Sequence, residues 1–148
     1  MAGLNLGITG QGQTVSSLAI APGGVSQVRG VNTAGYFGVG TTVAGGTETQ
    51  LTTTSQTTVA TFTPPATGLY DIKVYYRLTG TSNVNITVSW VDPGGARTET
   101  LVNLTSAAAG DYPVVVIPVC ATSGGPITIQ ATAGTANAVY VTPAISGS

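Results

Sequence analysis

The side chains that could do acid–base, nucleophilic or metal chemistry are few in this sequence. The carboxylates are Glu48, Asp71, Asp92, Glu99 and Asp111, the cations are Arg29, Lys73, Arg77 and Arg97, the one thiol is Cys120, and histidine is absent. Without histidine the commonest general base, the usual zinc ligand and the Ser-His-Asp triad are missing together. A glycosidase would need two carboxyl groups converging across a cleft. Asp92 instead falls in a turn and Glu99 follows on the return strand beside Arg97, which are positions for solvated or ion-paired charge. Asp92 or Asp111 with backbone carbonyls could touch calcium, yet the dense oxygen spacing of a dedicated loop is missing. Two glycine-rich strings, Gly7 to Gly12 and Gly35 to Gly40, lack both the strand-to-helix setting and the following lysine of a phosphate loop. Cys120, flanked by Val119 and Ala121, has no intrachain disulfide partner and reads as a small buried hydrophobe. Trp90 shares its strand face with Val84, Ile86 and Val88, so core packing is the better reading than a sugar-stacking platform. The expectation is a protein that is not an enzyme and that uses no cofactor and no metal.

The elements that would position these residues are strands. From about Thr47 onward apolar and polar residues alternate with the period of two that marks one buried and one exposed face, and no helix is signalled. Between Asn83 and Val91, Val84, Ile86, Val88 and Trp90 point one way while Asn85, Thr87 and Ser89 point the other. Asp92-Pro93-Gly94-Gly95 then supplies a turn, with proline presetting φ and glycine accepting positive φ, before a second run from Ala96 to Leu104; this predicts a hairpin. Gly68 to Thr79 puts Tyr70, Ile72, Val74, Tyr76 and Leu78 on one face and Asp71, Lys73, Tyr75 and Arg77 on the other. Gln50 to Thr54, Thr57 to Thr63, Gly125 to Ala133 and Asn137 to Ile145 are further strands. The run Val114 to Val119 does not alternate, so it is a strand either covered on both faces or placed at a subunit contact. About eight short strands punctuated by glycine and proline predict an all-β antiparallel sandwich or barrel.

Residues 1–46 differ. Small polar residues and glycine are frequent, and only Val25 to Val31 and Tyr36 to Val43 have strand character. Two readings stand: an extended N-terminal arm that gains order by lying along another subunit or protein, or an irregular loop packed on the same domain. The arm reading divides the chain into 1–46 and a β domain at 47–148. Only 6% of the 148 residues are charged, against roughly 25% in an average soluble protein. The surface must therefore be wetted by Thr, Ser, Asn, Gln and backbone, and the scattered cations form no stripe for tracking phosphates. Nucleic acid and membranes are not expected partners, and no secretory signal is read at the N-terminus. So little charge, with a mean hydropathy of +0.34, points to apolar area covered by assembly.

Phe62-Thr63-Pro64-Pro65-Ala66-Thr67-Gly68-Leu69-Tyr70, followed by an alternating strand, resembles the signature of the tumour necrosis factor and complement-type jelly-roll superfamily. The ending Ala138 to Ile145 is similar to that superfamily's last strand, and the likeness spans about Thr57 to Ile145. It implies a jelly-roll fold and a homotrimer. With the low charge and the arm, the whole chain resembles the decoration proteins of tailed bacteriophages, which sit as trimers on the outer capsid. That resemblance implies a structural virion protein, made in the host cytoplasm, whose partner is the major capsid protein. The arm residues Leu4, Leu6, Ile8, Val28, Arg29, Tyr36 and Phe37 would then hold the capsid, and Tyr76, Val115, Ile117 and Tyr140 would line the trimer interface. Two other readings remain open: a tail-fibre or baseplate receptor-binding head, and a carbohydrate-binding module.

Overall fold

The alternation seen in the sequence becomes two facing antiparallel sheets. The computed structural model describes residues 42–147, and the arm residues Leu4, Leu6, Ile8, Val28, Arg29, Tyr36 and Phe37 lie outside them. Among the described residues there are nine strands and no helix: β1 (Thr42–Gly45), β2 (Thr49–Gln50), β3 (Thr57–Phe62), β4 (Gly68–Leu78), β5 (Ser82–Asp92), β6 (Gly95–Ala107), β7 (Gly110–Ala121), β8 (Ile127–Ala133) and β9 (Val139–Gly147). One sheet has the order β1-β9-β4-β7, with β2 also on β9, and the other has the order β3-β8-β5-β6. After β3 the chain crosses between sheets at every connection except the β5–β6 hairpin, which is the winding of a jelly-roll. Thr42–Gly45, inside the segment 1–46, is thus a strand of the sandwich, and Gln50 to Thr54 contributes only its first residue to a strand.

The core is the set of inward rows. Tyr70, Ile72, Val74, Tyr76 and Leu78 of β4 face Val84, Ile86 and Val88 of β5 and Ile127, Ile129 and Ala131 of β8, while β9 adds Val139, Val141 and Ile145. Trp90 packs against the same cluster. β-Branched residues dominate because their stiff side chains fit a pleated surface, and each buried Val or Ile contributes about 1.5–3 kcal/mol. Ser82 falls on the inward row of β5, and its hydroxyl is satisfied locally: it donates to the Asn83 carbonyl (2.8 Å) and accepts from the Thr135 amide (3.0 Å).

The longer edge strands share one feature. The inner pairings β9–β4 and β8–β5 run without a break in register. Each of the four longer edge strands carries an extra residue relative to its neighbour, at Val43 in β1, Val59 in β3, Leu101 and again near Ser106 in β6, and Pro113 in β7, while the two-residue β2 pairs regularly. Such bulges bend and twist an edge so that it is a poor template for another strand. On β7, Pro113 and Pro118 also remove two backbone donors.

The expected hairpin closes at Asp92. Its carboxylate accepts from the Gly94 amide (2.6 Å) and from Arg97 Nε (2.6 Å). These bonds, the Arg97 bond first, hold its carboxyl below the ordinary carboxylate value. A depressed folded pKa stabilises above the unfolded value of 3.8 and ceases to do so as pH falls through the folded value. Melting between pH 7 and pH 2.5 is therefore expected to show an acid loss in the wild type that is smaller in Asp92→Asn. Equal acid losses would remove Asp92 from the account.

Candidate assembly surface

The functional candidate is the outer face of the five-stranded sheet, and its residues follow from strand parity. On β4 the inward row leaves Leu69, Asp71, Lys73, Tyr75 and Arg77 facing out. β7 pairs with β4 so that Ile117 sits beside Ile72 and Val115 beside Val74, both against the core. The alternate residues Val114, Val116, Pro118 and Cys120 therefore face away from the sandwich.

At one end this face is polar and closed on itself. Arg77 Nε donates to Glu48 Oε2 (2.6 Å), and the guanidinium lies 4.1 Å from the centre of the Tyr140 ring. Gln50 Nε2 donates to the Tyr140 hydroxyl (2.6 Å) and to the Asn137 carbonyl (3.1 Å). The hydrogen bond to Glu48 holds the Arg77 pKa above its ordinary value, and burial, then the nearby Asp111 carboxylate, push the Tyr75 phenol up. This network ties the segment around β2 to β4 and β9. Its ring face and polar atoms are engaged with one another, so it anchors the segment around β2 to the sheet.

Along β7 the face is apolar and open. Leu69 is 61% exposed, Val114 53% and Val116 54%, and they make up three of the four large hydrophobic side chains so exposed among the described residues. With Pro118 and half-buried Cys120 they form a row along β7, one residue about every 6.7 Å, Leu69 lying beside Cys120. Beside the row stand Lys73, next to Val116, and Asp71, next to Pro118. Lys73 donates to the Ser146 hydroxyl (3.2 Å), and the ion pairs among the described residues, Arg77–Glu48 and Arg97–Asp92, include neither Lys73 nor Asp71.

Of the residues assigned from the sequence to an intersubunit contact, Tyr76 is in the core, stacked on Tyr112 with ring centres 5.0 Å apart. Val115 and Ile117 pack against that core, and Tyr140 faces out under Arg77. On β7 the side chains free to meet another molecule are thus the alternate ones, Val114, Val116 and Pro118. Their signal was present in the run Val114 to Val119, whose lack of alternation allowed two apolar faces but did not say which one the core takes. Cys120 corrects its own reading: its neighbours Val119 and Ala121 turn inward, and the thiol faces out.

Among the described residues no cluster of three or more His, Cys, Asp or Glu side chains could hold a metal ion, and no helix is long and apolar enough to cross a membrane. No protein-family model and no curated protein matches the chain. Among solved structures, the CBM22-1–GH10 modules of the Clostridium thermocellum N-terminal endo-1,4-β-D-xylanase 10B, complexed with xylohexaose, match with a TM-score of 0.37 at 17% identity. The match covers 60% of this chain and 19% of that one.

Proposed function

We propose that this chain is a structural protein of a virus exterior, which binds the outer surface of the capsid as a trimer and stabilises the shell. The observation that carries this reading is the open apolar row of Leu69, Val114, Val116 and Pro118 on a chain of which only 6% of residues are charged. A protein that works alone gains nothing by leaving such a row in water, whereas one that works by contact needs it. The jelly-roll winding and a surface wetted by Thr and Ser are further support. Capsid stabilisation follows from linkage, because a protein that binds only the assembled shell raises its stability, and several attachment points on one oligomer let weak contacts add.

Two measurements test the reading. Light scattering on the purified protein is expected to give three times 14.6 kDa or a multiple of that mass. An antibody against the chain is expected to label the capsid shell of virus particles from cultures that make it. A stable monomer that binds glycans would replace the proposal with a carbohydrate-binding module, and label confined to the tail would replace it with a receptor-binding head.

A further inference from the structure

We infer that the apolar row of β7 is covered by the same row of a second copy of this chain, laid antiparallel across a twofold axis. The inference rests on the assembly reading above and names the partner of that surface. Association through strand edges is disfavoured, because the four longer edge strands are bulged, β2 is only two residues long and β7 carries two prolines. The outer face of β7 and β4 remains. Its charges are self-complementary: Asp71 and Lys73 occupy successive outward positions of β4, level with Pro118 and Val116. A twofold axis lying across the strands at the level of Ile72 and Ile117 sets Lys73 against Asp71 of the second copy and Asp71 against its Lys73. The same operation sets Val116 against Pro118 and Val114 against Cys120, so apolar meets apolar along β7, and it sets Leu69 against the ring of Tyr75. A self-matching patch of this kind is what an isologous interface requires. A partner of uniform charge would satisfy only one of the two ions, and a net charge of −1 puts little repulsion between copies.

Light scattering on the full chain and a charge-reversal series test this. The wild type should weigh an even multiple of 14.6 kDa, and Val116→Asp should halve it. Asp71→Lys or Lys73→Asp alone places like charges face to face and should also halve the mass, while the double exchange should restore it. Val116 is exposed, so Val116→Asp should melt as a folded domain, and its Cys120 should react with a maleimide several-fold faster than in the wild type. An odd multiple, or a Val116→Asp protein that keeps the wild-type mass and thiol reactivity, overturns the inference and leaves the assembly reading standing. A wild-type monomer removes both.

Discussion

Replacing Ile72 by alanine is expected to lower the unfolding free energy by about 2–5 kcal/mol, because the site combines complete burial with neighbours that cannot close in. Ile72 is fully buried at the middle of β4, with Ile145 of β9 on one side and Ile117 of β7 on the other. All three lie where β9, β4 and β7 are paired without a shift, so the space left by the lost atoms persists as a cavity. At roughly 4 °C or more per kcal/mol for a domain of this size, the midpoint should fall by at least about 8 °C. Thr98→Ala, on the exposed face of β6, serves as the control and should change stability by no more than about 0.5 kcal/mol. Equal midpoints for the two variants would mean that the rows of β4 do not form the core.

Alanine at Gly45 is expected to unfasten β1, whereas alanine at Gly46 should not. Both glycines have positive φ, +86° and +88°, so either alanine takes on backbone strain of about 1–2 kcal/mol. They differ in their surroundings. A Cβ at Gly45 would overlap the Pro143 carbonyl oxygen, while a Cβ at Gly46 meets nothing within 4 Å. Pro143 is backbone of a central strand and cannot yield, so β1 must leave β9. The Gly46 amide, which donates to that carbonyl at 2.6 Å, reports the event. In Gly45→Ala, hydrogen exchange should show loss of protection at Gly46 with β5 and β8 unchanged. In Gly46→Ala only a small drop in melting temperature should appear. Similar exchange patterns in both variants would mean that strain, not the close approach to Pro143, decides the geometry.

The parts of the fold that were legible in the sequence are those where burial is one-sided. β4, β5, β8 and β9 each alternate because one face meets the core and the other meets water, and the Asp92-Pro93-Gly94-Gly95 turn announces its hairpin through residues with fixed φ preferences. β7 was legible as a strand but not in phase, since Val114 to Val119 is apolar at both parities; only pairing with β4 decides that Val115 and Ile117 go in. The bulge at Pro113 then resets the parity before Tyr112, a shift that no local pattern announces. β1 and β2, of four and two residues, are too short to display a period, and they hold their places through partners about ninety or a hundred positions later in the chain. Those partners also explain why Glu48 and Gln50 could not be assigned to the Arg77–Tyr140 network beforehand: it joins three strands that are distant in sequence.

The strand order has a consequence for how the molecule is made. β9 lies between β1 and β4, and β8 lies between β3 and β5, so neither sheet is continuous until residues 127–147 have been synthesised. Before that point a nascent chain can form the β5–β6 hairpin and the β4–β7 pair, but β1, β2 and β3 have nothing to join. Closing the sandwich then requires contacts such as Gly45 with Ala144, across almost the whole described chain, and loop closure over such spans makes folding slow relative to locally paired proteins. During that interval the inward rows of Val and Ile are exposed on a chain with very little charge to keep it apart from its neighbours, and aggregation competes with folding. The closing strands therefore act as a final checkpoint: an emerging chain commits to the native sandwich late and nearly all at once.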